Sequence, residues 1–262
     1  MRIFTLGPAG TFSSEATQEI FPDADILYAA NFDRLFQILE KAEDAIGVVP
    51  IENSLHGSVH NVLDLLYHSP VSIWRMHDLR IRHAIGAQDP KSIDRIASHP
   101  QALAQCRKYL LEHFPDAEHF PVSSTTYALD LAAADPSTAA IAREDAIREH
   151  ELTILDTNIE GANNTTRFGI VAKDDPYPDL ERSRMSIVLH PREDRSGLLH
   201  ILITPFKVYD VNMTKLESRP TGEKIGDYYF FIDFEGKQSD ARVQKIFEEI
   251  KEYADITILG IW

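Results

Sequence analysis

Cysteine is nearly absent: Cys106 is the single one in 262 residues. One thiol cannot form an internal disulfide framework, so a reducing compartment is expected. Long apolar runs are also missing, and none approaches the roughly 20 residues that span a bilayer. Met1-Arg2 leads directly into Ile3–Leu6 with no signal-peptide core, so the expectation is a cytoplasmic protein without membrane attachment. Basic residues are the third scarcity: 26 against 41 acidic ones, a net charge of −15. Phosphate backbones are bound by basic stripes, and none is visible, so nucleic acid is excluded as a partner. An acidic chain that binds an anion must build a local positive pocket from a few arginines and helix N-termini.

What is present is an ordinary globular composition, 44% hydrophobic and 26% charged, in a chain long enough for a large core and a second unit. The first two thirds repeat short apolar run, polar turn, helical pattern, which predicts an α/β fold. Ile3–Leu6 leads through Gly7-Pro8-Ala9-Gly10-Thr11-Phe12-Ser13-Ser14 to a helix from about Glu15. Ala45–Val49 leads through Pro50–Ser58 to the amphipathic Val59–Leu66. Ile96-Ala97 leads through Ser98-His99-Pro100-Gln101 to a helix reaching about His113, with Pro100 at a tolerated first-turn position. Val122–Thr126 opens the helix Tyr127–Ala134, with hydroxyls to cap it, and Thr138–Ala142 reads as a strand. Loops beyond the carboxyl ends of such strands converge on one crevice. Ile81–Ala87 would carry the chain to a second lobe, and the segment ending at Thr166-Arg167-Phe168 would return it.

The charged, proline-interrupted Asp174–Asp179 reads as a linker. After it come a strand at Met185–Leu189, a helix at Gly197–Thr204 ending near Pro205, strands at Val211–Leu216 and Tyr228–Phe234, a helix at Ala241–Tyr253 and a strand at Ile256–Leu259. That order is βαββαβ, the ferredoxin-like plan, with sheet edges free for self-pairing.

The most chemically suggestive stretch is Gly161-Ala162-Asn163-Asn164-Thr165-Thr166-Arg167-Phe168. Arginine offers a rigid fork for a carboxylate, and threonine a neutral hydroxyl that can donate a proton. Its plain alternative is a hydroxyl and a charge where a strand begins. Gly7-Pro8-Ala9-Gly10 lacks the Lys of a P-loop and the spacing of a dinucleotide fingerprint. His56 and His60, with Glu52 and Asp64, could mimic a metal face, but Gly57 between them argues for different local structures, so no metal is expected. Cys106 shares helical apolar spacing with Leu103 and Leu110 and reads as a buried thiol.

Five segments in order resemble the prephenate dehydratase family with a C-terminal ACT regulatory domain, over nearly the whole chain. They are Gly7–Ser13, Val49–Ser54 with Gly57-Ser58-Val59, Ser98–Cys106, Asn164–Phe168 and Glu217-Ser218-Arg219-Pro220. The resemblance implies a bilobal, periplasmic-binding-protein-like catalytic domain with a cleft between two α/β lobes, over residues 1–174. Lobe 1 would take about 1–77 and 160–174, and lobe 2 about 78–159. A linker at 175–183 and an ACT domain at 184–262 would follow. It implies conversion of prephenate to phenylpyruvate without cofactor, in a homodimer or homotetramer, with L-phenylalanine as effector.

Carried over by position, Thr166 becomes the proton donor and Arg167 the carboxylate anchor, with Asn53 and Gln105 as orienting amides. Phe168, Glu52, Ser54, Ser98, Gly10, Thr11, Ser124, Thr125 and Thr126 would complete the lining, and Asn163 with Asn164 would shape the turn. The effector site would combine Gly197-Leu198-Leu199 with Glu217-Ser218-Arg219-Pro220. Leu198 stands where the family has Ala, which could weaken or reshape that pocket. Arogenate as substrate, a solute-binding protein and a pure amino-acid sensor stay open as alternatives.

Overall fold

The computed structural model describes residues 1–160, 164–222, 224 and 226–262. The segment Gly161–Asn163, including the turn role read for Asn163, lies outside the described residues. The chain opens with β1 (Arg2–Leu6), α1 (Phe12–Ile20), β2 (Ile26–Ala29), α2 (Phe32–Lys41) and β3 (Ala45–Asn53). A short β4 (Gly57–Ser58) folds back on β3, and α3 (His60–His68) leads to β5 (Ser72–Arg80). A second sheet is then built from β6 (Ala84–Ala87), β7 (Arg95–Ser98), α4 (Pro100–Gln105), α5 (Arg107–His113), β8 (Glu118–Pro121), α6 (Thr125–Ala134), β9 (Thr138–Ala142), α7 (Glu144–Glu149) and β10 (Thr153–Thr157). The return strand β11 (Thr165–Ala172) inserts between β3 and β5, antiparallel to both. Last come β12 (Arg184–Pro191), α8 (Leu198–Val208), β13 (Met213–Pro220), β14 (Tyr228–Glu235), α9 (Ala241–Ile250) and β15 (Ala254–Ile261).

The result is mixed α/β with two sheets, ordered β13-β14-β12-β15-β5-β11-β3-β1-β2, with β4 beside β3, and β10-β6-β9-β7-β8. The chain enters the second sheet after β5 and comes back to the first with β11. The βαββαβ order of the C-terminal segment is as expected, but its edges are not both free. β15 pairs in parallel with β5 at Gly260↔Ile73, so these strands extend the first sheet. Gly260 permits it, because a Cβ there would collide with the Ile73 carbonyl oxygen.

Local departures have physical causes. α1 starts at Phe12 rather than Glu15 because Thr11 Oγ1 accepts the Ser14 N–H and caps it. β3 continues through Pro50, which faces the irregularity between Arg167 and Phe168 in β11, where a missing N–H is tolerated. The predicted helix to His113 is two helices breaking at Cys106. α8 runs past Pro205 to Val208, since Pro205 and Phe206 are buried in the C-terminal core. Glu217–Pro220, beyond the predicted strand Val211–Leu216, is the second half of strand β13.

Alternation along β11 divides its side chains between two environments. Phe168 joins Ala16, Val48, Leu79 and Ile81 on the α1 side, while Val171 joins the core under α2 and α3 with Val188, Phe231 and Leu259 of the C-terminal strands. Asp174–Asp179 contains no helix or strand, but it is held: Arg182 donates to Asp175 at 2.6 and 2.8 Å, and its guanidinium lies 5.3 Å from the Trp74 ring. No helix among the described residues is long and apolar enough to cross a membrane.

Candidate active site

Thr166 and Asn53 are register partners in the β11·β3 ladder, and this pairing builds the centre of the site. Asn53 Nδ2 donates to Thr166 Oγ1 at 2.9 Å and to Asn164 Oδ1 at 2.7 Å. Its Oδ1 accepts the N–H groups of Leu55 and His56 at 3.0 and 3.2 Å, so both ends of the amide are fixed. A donor on Oγ1 leaves the Thr166 proton free to be given away and favours the oxygen as it gains charge. Asn53 and Asn164 are buried, so these bonds form away from water.

The second sheet contributes Gln105, at the last turn of α4. Its Oε1 lies 2.7 Å from His83 Nε2, and its Nε2 lies 3.4 Å from His56 Nδ1. His56 Nδ1 is in turn 3.1 Å from Asn53 Oδ1. His56 Nδ1 thus stands between Asn53 and Gln105, donating to Asn53 Oδ1 in one tautomer or accepting from Gln105 Nε2 in the other. Phe12, at the start of α1, sets its ring edge-on to His83 at 5.2 Å. His83 is buried, and burial lowers its pKa, so the ring is held neutral.

Arg167 goes elsewhere. Its Nε and Nη2 donate to Asp78 at 2.8 and 3.1 Å, its Nη1 donates to Glu52 at 3.0 Å, and its guanidinium lies 5.9 Å from the Trp262 ring. The hydrogen bonds to Asp78 raise its pKa and lower that of Asp78, so both stay charged. Glu52 also pairs with Lys215 of β13 at 3.2 Å. Neighbouring residues on a strand face opposite ways, so the structure brings Thr166 and Asn53 together on one face and Arg167 and Glu52 together on the other. The carboxylate-anchor role read for Arg167 and the lining role read for Glu52 do not follow from this geometry.

Other predicted residues divide similarly. Phe168 is 1% exposed in the apolar cluster behind Thr166 and cannot touch a ligand in the cleft. Ser98 is fully buried, and its hydroxyl donates to the Ile141 carbonyl at 2.7 Å inside the second sheet. Ser54 Oγ accepts the Thr165 N–H at 3.0 Å and helps fix the start of β11. Gly10 holds a left-handed φ of 80° next to the α1 cap Thr11. Ser124 caps α6, with Thr125 and Thr126 half-buried in its first turn.

Among the effector candidates, Gly197 adopts φ 80° ahead of α8, Leu198 is buried in the C-terminal core and Leu199 is exposed. The extra carbons at Leu198 therefore point into that core. In β13, Glu217 accepts from Ser58 and lies 2.8 Å from His60 Nε2, and Arg219 donates to Asp64 at 2.6 Å. Ser218 and Pro220 are exposed on the opposite face. Burial pushes the Cys106 thiol pKa up, which suits its place in the core. No cluster of three or more metal-ligating side chains occurs among the described residues.

Sequence reasoning missed His83 and Glu160 and weighed His56 only as a metal ligand. The available signal for His83 was a titratable ring directly before the apolar run Ala84–Ala87.

The family profile described as prephenate dehydratase matches residues 3–176. A curated prephenate dehydratase of Methanocaldococcus jannaschii is 34% identical over 266 residues, spanning 98% of this chain and 96% of that protein. The crystal structure of prephenate dehydratase from Staphylococcus aureus superposes with a TM-score of 0.88 at 26% identity, covering 100% of both chains. That of prephenate dehydratase from Arthrobacter aurescens in complex with L-Phe gives 0.86 at 29%, covering 100% of this chain and 89% of that one. With the matched profile covering well over half of its length, the chain belongs to the prephenate dehydratase family.

Proposed function

We propose that the chain is a carbon–oxygen lyase whose Thr166 hydroxyl protonates the departing C4 oxygen of prephenate. The C4–O bond breaks and water leaves. The ring carboxylate departs as carbon dioxide, its bonding pair entering the ring, and phenylpyruvate remains. Aromatisation drives the step, so the protein's work is orientation and proton delivery. The observation that carries the reading is the Asn53 Nδ2 bond to Thr166 Oγ1 at 2.9 Å, with Asn53 anchored at both ends. Gln105 Nε2 and the backbone N–H groups at the α1 start are the donors this reading assigns to the substrate's anionic groups. Arg167 and Glu52 brace the site from behind.

We further assign residues 1–174 to catalysis, with lobes at about 1–77 with 160–174 and at 78–159. Residues 175–183 are the linker and 184–262 an ACT regulatory domain, a division supported by the βαββαβ order. L-phenylalanine is the proposed effector, taken near Gly197–Leu199 and Glu217–Pro220, in a cytoplasmic homodimer or homotetramer. The relative solved with L-Phe supports that choice of ligand. The test is turnover of prephenate and of arogenate, each with and without L-phenylalanine. Phenylpyruvate should form from prephenate and slow with added phenylalanine. Preference for arogenate would reassign the substrate, and binding without turnover would remove the enzyme reading.

A further inference from the structure

Gln105 is an amide in the last turn of α4, one end at His83 and the other at His56, and an amide has two unlike ends. If the carbonyl end faced the cleft it would repel an anionic substrate, while the NH2 end would bind it. Something must choose between two orientations that differ by a half-turn of one bond and have nearly the same shape.

His83 supplies the choice. Its Nε2 lies 2.7 Å from Gln105, and of the two ring nitrogens Nδ1 is the one buried with no partner among the described residues, so a proton on Nε2 is the one that finds an acceptor. Burial keeps the ring neutral, so Nδ1 is then a bare lone pair, and among the described residues it is buried without a hydrogen-bond partner. The reverse tautomer would bury an unpaired N–H, and orphaned N–H groups are rarer in folded proteins than unpaired acceptors. The residue is also pinned. Its backbone N–H donates to Glu160 Oε2 at 2.8 Å, and Ile159 N–H donates to its carbonyl at 3.2 Å, so the outgoing and returning crossings are tied together at this point. Phe12 closes one side of the ring.

We propose that His83 is a positioning residue for the dehydration: its Nε2–H locks the Gln105 amide so that the Nε2 donors face the cleft. His83 itself need not touch substrate. The inference rests on Gln105 acting in the proposed reaction, and the two can fail separately.

The first test needs no variant. Nitrogen-15 spectra of the wild-type protein should show His83 as the neutral Nε2–H tautomer at neutral pH, whatever the substrate proves to be. An Nδ1–H tautomer, or a charged ring at neutral pH, would overturn the proposal. The second is a double-mutant cycle on prephenate turnover. His83→Leu should lower turnover about tenfold, as expected for one lost hydrogen bond, with the unfolding midpoint recorded alongside. Placed on Gln105→Ala, the same change should alter turnover by no more than about twofold, because the group it orients is gone. Full multiplication of the two losses would sink the proposal. If wild type does not turn over prephenate at all, the proposed function falls while the tautomer result still stands or fails on its own.

Discussion

Thr166 and Arg167 show how far one residue's position changes its chemistry. They are adjacent, yet one meets Asn53 on one face of the sheet and the other meets Asp78 and Glu52 on the reverse. Replacing Thr166 by Ala removes the proton donor with little change in packing, and turnover should fall at least about a hundredfold; a stopped assay for phenylpyruvate measures it, and near-normal turnover would strip Thr166 of the role. Asp233 offers a test of stability instead. It is buried behind this region, and desolvation raises its pKa. A carboxyl with a raised folded pKa contributes stability below its unfolded value and loses it as pH rises through the folded one. Asp233→Asn should therefore match wild type in acid and unfold at a higher temperature than wild type at neutral and alkaline pH, as thermal melts across pH would show.

At the level of elements, the strand, turn, helix grammar was legible because each unit is set by neighbours in sequence. Thr138–Ala142 appears as a strand with those bounds, and Ser124 caps the helix its hydroxyl announced. What was not legible depends on partners far along the chain. Pro50 looked like the end of a strand because the irregularity opposite it lies in β11. Glu217–Pro220 falls outside the predicted strand because a polar edge strand has no apolar run, and its alternation shows only against β14. Of the candidate site, Thr166 and Asn53 stood out in the sequence and the structure pairs them, but the partners of Arg167, 89 and 115 residues away, were not legible. The β15·β5 pair belongs to this class. Gly260→Ala should push the two strands apart and cost about 1–3 kcal/mol, the range for overpacking, seen as a fall of several degrees in the unfolding midpoint. An unchanged midpoint would mean that the junction yields freely.

Across the whole molecule, one continuous sheet links the C-terminal strands to the strands bearing Thr166 and Asn53. Glu52 is the meeting point, holding Arg167 on one side and Lys215 of β13 on the other, while Glu217 two residues on reaches Ser58 and His60. If phenylalanine acts through β13, this cluster should carry part of the coupling between sites. Lys215→Ala should then raise the phenylalanine concentration for half-inhibition at least about fivefold, measured in the prephenate assay, while an unchanged value would route the coupling elsewhere.

The insertion of β11 between β3 and β5 also dictates an order of assembly. β3 and β5 emerge early, but the strand that joins them follows only after the entire second sheet has been made. Until then both carry open edges able to pair with another chain. The second sheet has its own strands contiguous in sequence and can close first, so the ribosome-bound or refolding chain passes through a stage with one finished half and one gaping half. The strand that holds Thr166 thus closes the facing edges of β3 and β5, leaving to β15 the other edge of β5, which ties the yield of soluble protein to the same eight residues proposed to carry the chemistry.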